Sequence, residues 1–358
     1  MKKGNSIVGG LIILIAGICL LWWNEGNNVR NLQSVKEGMK NYTDISSSTI
    51  NNKYDGKLVA THGKLKVDGT ISDDEFLVSS QSAALYRKVE MLQWNEDCVA
   101  DDNCTYSKEW SDTLIDSKGF EKSGYTNPES MPYESQKFLS ETAMIGAFTL
   151  PSKLLDRLSL KKKVSSLNED AAISHGMTIT ENKFYTNVID NKPEIGNIRI
   201  SFYENNAKVV SVLAEQSDDT FKIYKTKKGK DLFKIYEDNY DGADMLALIT
   251  KQNKFMTWLW RVVGILAIML GIGSLFTPIT FIADKVPILG NLVNGATSLV
   301  SFILGLAISL VVIAIAWFRF RPFLSIVLVI IVAGLIIGLN VYSKNKSVEG
   351  NNKIKIKK

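Results

Sequence analysis

Apolar residues are distributed along this chain in two different ways. One uncharged run occupies Ile7–Trp23, and three more crowd into the part of the chain after Trp258. Residues 24–257 instead mix polar and apolar positions in short segments. A helix needs about 20 apolar residues to cross the hydrocarbon core of a bilayer. Ile7–Trp23, Val262–Ala283 and Pro322–Tyr342 carry no charge and approach or reach that length. The run Val286–Phe318 exceeds it, and its first part contains Pro287, Gly290, Asn291, Asn294 and Gly295. Breakers and amides at membrane depth belong at an interface or in a re-entrant segment. The expected span therefore starts near Thr297 and ends at Phe318, which makes four transmembrane helices in all.

The first run has a competing reading as a cleaved signal peptide, with Lys2 and Lys3 as its basic region. It continues, however, through Leu20, Leu21, Trp22 and Trp23 with no small-x-small cleavage pair, which favours a retained anchor with an aromatic belt. Lysines flanking the spans set the orientation. Lys2 and Lys3 place the N-terminus in the cytoplasm, and Lys344, Lys346, Lys353, Lys355, Lys357 and Lys358 place the tail there too. The expected partition has a cytoplasmic N-terminus at 1–6, helix one at 7–23 and a non-cytosolic domain at 24–257. Helix two follows at 258–283, an interfacial or re-entrant segment at 284–296, helix three at 297–318, helix four at 322–342 and a basic tail at 343–358. Arg319 and Arg321 then fall on the far side, interleaved with Trp317, Phe318 and Phe320. They read as snorkelling belt residues or as an anion or lipid-headgroup site.

Within 24–257 the polar–apolar pattern has a period of two. Lys53–Lys66, Ala84–Trp94, Asn197–Tyr203, Lys208–Glu215, Thr220–Tyr224 and Asp231–Tyr236 read as strands. Cys98–Lys137 is polar and broken by Gly119, Gly124, Pro128 and Pro132, and reads as loop. Pro151 with Leu154, Leu155 and Leu158 opens a short helix, while Asp241–Trp260 returns to helical spacing and leads into helix two. Short strands with spaced turns favour a barrel or sandwich over a parallel nucleotide-binding sheet. Gly196–Ile200 echoes Gly56–Ala60, which permits a duplication with subdomains at 44–150 and 151–250. The fold class is thus an α+β membrane protein with a large β-rich domain between helices one and two.

A chain that is 46% hydrophobic and 22% charged, with a net charge of +5, suits that mixture. The positive excess sits in the tail, which reads as disordered and attracts anionic lipid at about 1 kcal/mol per basic residue. No nucleic-acid footprint is present. Cys98 and Cys104, with five residues between them, permit a disulfide in an oxidising compartment. A metal pair lacks further soft ligands, since the only histidines are His62 and His175. Nucleophile elbow, phosphate loop and paired-histidine motif are all missing from the sequence. His62 and His175 read as surface or packing residues, and Asp284 with Lys285 as an interfacial ion pair. No catalytic residue, cofactor or metal is expected, and the chain reads as a non-enzyme.

Several longer strings carry a family resemblance. They are Trp22-Trp23-Asn24-Glu25-Gly26, Arg87-Lys88-Val89-Glu90-Met91-Leu92-Gln93-Trp94, Asn127-Pro128 with Met131-Pro132, Gly196-Asn197-Ile198-Arg199-Ile200-Ser201-Phe202, Val210-Ser211-Val212-Leu213-Ala214-Glu215-Gln216 and Trp317-Phe318-Arg319-Phe320-Arg321-Pro322. Together they resemble the LUMA family (transmembrane protein 43) from about Gly9 to Leu335. The resemblance implies the same topology and a role in self-association and in organising membrane-protein complexes. In eukaryotic members it implies the endoplasmic reticulum and inner nuclear membrane, with emerin and lamins as partners. Bacterial members live in a cell membrane with no lamina, so that partner set does not carry over. Asn41 and Asn103 begin Asn-x-Thr sites that matter only in a glycosylating lumen.

Among the matching residues, Trp22 and Trp23 are expected to fix the depth of helix one and Glu25 to orient the chain as it leaves the bilayer. Trp94 with Glu90 and Arg87 forms either the edge where the β domain meets the membrane or another subunit, or a buried tryptophan beside an ion pair. Gly264, Gly271 and Gly273, then Ser301, Gly305, Ala307 and Ser309, then Gly334 and Gly338, suit close helix contact. The leading expectation is a homo-oligomeric, non-enzymatic scaffold engaging other membrane proteins or anionic headgroups. A channel or transport component with Asn291 and Asn294 lining a polar path is the alternative. A membrane-bound enzyme acting on lipid or envelope material comes third.

Overall fold

A computed structural model describes residues 3–100, 103–186, 192–278, 280, 287–323, 325, 326 and 330. The chain opens with α1 (Lys3–Asn41), followed by β1 (Thr43–Asp44), β2 (Leu58–Val67), β3 (Ile71–Asp73), β4 (Val78–Ser80), β5 (Ala84–Ala100) and β6 (Asn103–Ser111). Next come β7 (Gln136–Leu139), β8 (Ala143–Ile145), β9 (Phe148–Thr149), α2 (Ser152–Leu155), β10 (Lys162–Lys163), α3 (Glu169–Ser174), β11 (Met177–Thr180) and β12 (Lys183–Thr186). The last strands are β13 (Ile198–Glu204), β14 (Val209–Ser217), β15 (Thr220–Lys222), β16 (Tyr224–Lys225), β17 (Asp231–Leu232) and β18 (Lys234–Tyr236). Two long helices follow, α4 (Gly242–Leu275) and α5 (Pro287–Phe320). The chain forms two compact units. A helical one takes Met1–Glu37, Lys227–Lys230 and Ala247–Lys358, and a β-rich one takes Gly38–Thr226 and Asp231–Leu246.

Among the described residues, three helical segments, Ile7–Asn41, Gly242–Leu275 and Gly295–Phe320, are long and apolar enough to cross a membrane, so this is an integral membrane protein. Helix α1 does not stop at Trp23 as expected but continues for 18 residues to Asn41. Its buried positions Leu21, Asn24, Glu25, Asn28 and Val35 recur at helical spacing. The inward stripe turns polar where the chain leaves the apolar run, and that hid the helix from a reading based on hydrophobicity. The expected interface between residues 296 and 297 is not a boundary either, because 287–320 is a single 34-residue helix. Pro287 stands at its first position, where a missing N–H costs nothing. Residues 284–286, almost all of 322–342 and the tail 343–358 lie outside the described residues, as do the side chains of Asn291 and Asn294.

Among the described residues, the β-rich unit holds two seven-stranded sheets, one with the order β15-β14-β2-β8-β9 plus β1 beside β2 and β18 beside β14, the other β11-β12-β13-β5-β6 plus β10 beside β13 and β7 beside β5. Each has a core of its own. Val59, Ile145, Phe148, Leu154, Val212 and Phe221 cluster under the first sheet. Phe76, Leu85, Val89, Phe184, Ile200 and Phe202 cluster under the second. The long central pairs are β2·β14 and β5·β13, both antiparallel. Each therefore joins a strand from 44–150 to one from 151–250, and those segments are not separate subdomains. The polar stretch after Cys98 is only partly loop. It returns as β6, paired with β5 from Met91↔Ser111 to Cys98↔Cys104.

Candidate membrane-interface site

In the helical unit, α1 and α4 run antiparallel with matching steps of seven residues. Gly10 lies against Gly271, Gly17 against Gly264, and Asn24 donates to the Thr257 carbonyl at 3.0 Å. A Cβ on Gly17 would come within 3.1 Å of the Gly264 carbonyl oxygen, and one on Gly271 within 2.7 Å of the Leu14 backbone nitrogen. Small residues thus let the two backbones approach closely, the packing that substitutes for hydrophobic drive inside lipid. The stripe repeats every seven residues, the period of two helices kept in register along their length.

One residue beyond Asn24, Glu25 is 1% exposed and binds two other helices. Arg261 of α4 donates to it through Nε at 2.6 Å and Nη2 at 2.9 Å. Trp317 of α5 donates its indole N–H to the same carboxylate at 2.8 Å. The Arg261 guanidinium lies 5.1 Å from the Trp258 ring centroid and 5.9 Å from that of Trp317. Gly26 lets Phe320 approach, since a Cβ there would be 2.7 Å from the Phe320 ring, and Trp22 meets the same ring at 5.5 Å. Trp23 and Trp22 are themselves outward facing. A carboxylate fixed by a two-pronged guanidinium and an indole N–H is charge-compensated where an unpaired ion would be costly. Its chemistry is that of a lock joining three helices.

The expected set of Arg87, Glu90 and Trp94 is not brought together. Over Leu85–Met91, β5 lies between β13 on one side and β7 and β6 on the other, so Arg87 and Glu90 are at no sheet edge, whereas at Trp94 the strand paired with it is β6 alone. Arg87 points into the second core. It meets Asp73 at 3.1 and 2.9 Å and Glu75 at 2.6 Å, and lies over the Phe76 ring. Glu90, on the opposite face, accepts from Arg199 at 2.7 and 3.0 Å and from Lys88 at 2.9 Å. Burial alone would raise its pKa, but the hydrogen bonds and charges of Arg199 and Lys88 bring it below the ordinary glutamate value. Trp94 is half-buried against Tyr125 and Lys108. Its backbone N–H and carbonyl are clasped by the Asn127 side chain at 2.7 and 2.9 Å.

Cys98 and Cys104 face each other across the β5–β6 hairpin and are joined by a disulfide. Glu96 lies beside them, but bonded sulfurs offer no thiolate to a metal. His62 is exposed on β2. His175 stacks on Phe76 at 4.7 Å and its Nε2 lies 2.9 Å from the Glu75 carbonyl oxygen. Arg319 and Arg321 close α5, over the rings of Phe320 and Trp317 respectively. The sequence did not single out Arg261, which lies inside the expected helix two at 258–283, just before its uncharged run. The seven-residue step that pairs Gly17 with Gly264 and Asn24 with Thr257 points to it.

The family model described as Transmembrane protein 43 matches residues 91–322, more than half of the chain and including Arg261 and Trp317. The Homo sapiens protein named Transmembrane protein 43 is 26% identical over 359 residues, covering 93% of this chain and 88% of its own length. A Drosophila melanogaster protein named Transmembrane protein 43 homolog is 26% identical over 338 residues, covering 87% and 88%. The Mus musculus relative is 26% identical over 346 residues, covering 90% and 86%. No solved structure matches the chain. With its family strings, membrane helices and matched region in agreement, the chain belongs to the transmembrane protein 43 family, the LUMA family.

Proposed function

We propose that this protein is a non-enzymatic membrane scaffold that self-associates through its spans and organises other membrane proteins or the lipid around them. The observation that carries this reading is the Glu25–Arg261–Trp317 lock. Charges that drive transport sit where they exchange protons or ions, whereas both oxygens of this carboxylate are committed to fixed donors on two neighbouring helices. The other buried charges described above, Arg87 and Glu90, are likewise held in structural pairs. A rigid bundle bearing a large folded β-rich unit suits presentation of a surface. The membrane is the cell membrane in a bacterium and the endoplasmic reticulum or inner nuclear membrane in a eukaryote. Crosslinking in intact membranes is expected to trap dimers or higher species of the full chain. Monomer alone, under conditions that trap a known oligomer in the same membrane, would defeat the proposal.

A channel or transport reading is favoured by one feature, a groove of about 510 Å³ between α4 and α5 where Ser274, Thr277, Thr280, Thr297, Ser298 and Ser301 line the wall beside Leu266, Met269, Leu270 and Phe302. Ser274, Thr297 and Ser301, however, donate to carbonyls of their own helices at 2.7 to 2.9 Å, the usual way hydroxyls are satisfied in lipid. Liposome flux abolished by replacing Asn291 and Asn294 with Leu would revive this reading. Absent or unaltered flux removes that path.

A further inference from the structure

The charge around the lock does not balance. Glu25 supplies one negative charge, and Arg261 consumes it through two hydrogen bonds. Arg319 and Arg321 stand at the same end of the helical unit. Phe320 lies on Gly26 and Trp22, and the Trp317 ring under Arg321 is the one that donates to Glu25. Among the described residues, no carboxylate lies within ion-pair distance of either arginine. Arg321 is half-buried, its guanidinium 5.8 Å from the Trp317 ring centroid, and Arg319 is 5.8 Å from that of Phe320. The C-terminus of α5 contributes about half a negative charge, so more than one positive charge remains.

That excess sits at the aromatic belt, where the membrane–water boundary places lipid phosphates. Guanidiniums are suited to phosphate because their planar fork matches two of its oxygens, and a ring beneath holds that plane in place. We propose that Arg319 and Arg321 bind the phosphate of an anionic phospholipid in the leaflet remote from the N-terminus. This deepens the scaffold reading and rests on it, because it makes a lipid headgroup one of the partners that the bundle gathers. Trp317 is the positioning residue. Its N–H is anchored by Glu25 and its face carries Arg321, so the lock and the lipid site share one ring.

The test uses the full chain in nanodiscs of phosphatidylglycerol and phosphatidylcholine. Lys344, Lys346, Lys353, Lys355, Lys357 and Lys358 are replaced by Gln throughout, to remove the tail's own attraction. Native mass spectrometry then reads bound lipid per chain and oligomer mass together. Retained phosphatidylglycerol is expected, with Arg319→Gln/Arg321→Gln lowering retention about tenfold and Arg319→Lys/Arg321→Lys lowering it less, because charge survives without the fork. Equal retention of both lipids, or retention unchanged in the Gln pair, overturns the proposal. Displacement of the lipid by millimolar inorganic phosphate would reassign the site to a free anion. Failure of the Gln pair to assemble leaves the Lys pair as the deciding variant, and its matching the unsubstituted arginines would reduce the site to non-specific charge. Oligomer mass separates the two ideas. Oligomers with no lipid preference defeat only the lipid site, whereas monomers that retain phosphatidylglycerol defeat only the scaffold reading.

Discussion

The helical and the β-rich units both bury charge, and they do so by different rules. In the β-rich unit Arg87 has two carboxylates, a backbone carbonyl and an amide oxygen around it, and Glu90 has two cations. Arg87 keeps a partner if one of its acceptors is lost, and Glu90 keeps one if one of its cations is lost. In the helical unit a single carboxylate serves two helices, with Arg261 and Trp317 both depending on it. Redundancy is available where strands pass polar loops and solvent. A membrane bundle has few polar groups to spare, so one pair carries the whole junction. The buried pair is thus weaker evidence for stability in the first case than for a unique helix arrangement in the second.

This contrast breaks most directly at Glu25. Glu25→Gln leaves Arg261 buried without a counter-charge and is expected to cost about 3–5 kcal/mol, read as a lower midpoint of thermal unfolding in nanodiscs and loss of a disulfide engineered between α1 and α4. Arg87→Gln should cost about 3 kcal/mol without changing that crosslink, since it leaves Asp73 in the second core with only the backbone N–H groups of Glu75 and Phe76 while the helical unit is untouched. Gly271→Leu places a side chain where Leu14 backbone atoms already stand. A loss of about 2 kcal/mol from overpacking, with weaker α1–α4 crosslinking, is expected, and unchanged crosslinking would contradict the close-backbone account. The smallest effect concerns Glu90, whose folded pKa lies below the unfolded value of about 4.3. Its stabilisation is complete above that unfolded value and is lost as pH falls through the lowered folded one. The difference between wild type and Glu90→Gln, about 1–2 kcal/mol at pH 7, should therefore close on acidification below about pH 4. A gap that persists at pH 2 would mean that packing and not charge is responsible.

Legibility in the sequence followed the same division. The apolar runs located α1, α4 and the main part of α5, and period-two segments located β2, β5, β13 and β14. The second half of α1 was hidden because its inward positions Asn24, Glu25 and Asn28 are polar, although Val29, Leu32 and Val35 keep helical spacing. β6 was hidden because its alternation runs through Cys104, Tyr106, Lys108 and Trp110 among charged and hydroxyl residues, and hydrophobicity alone sees only loop there. Pairing across sheets could not be read at all. Nothing local tells Leu58–Val67 that its partner is Val209–Ser217, more than a hundred residues onward. Glu25 stood out through its place in a family string and its position after two tryptophans. Its partners did not, because a buried ion pair in a membrane is defined by residues that meet only after three helices are packed.

The scaffold reading is tested most directly by extracting the tagged full chain from its native membrane into lipid nanodiscs, determining the particle mass and identifying what co-purifies. A mass of two or more chains is expected, alone or with other membrane proteins, and it should fall toward one chain in Glu25→Gln. A lone, lipid-poor monomer with an intact Glu25–Arg261 pair would contradict the scaffold reading.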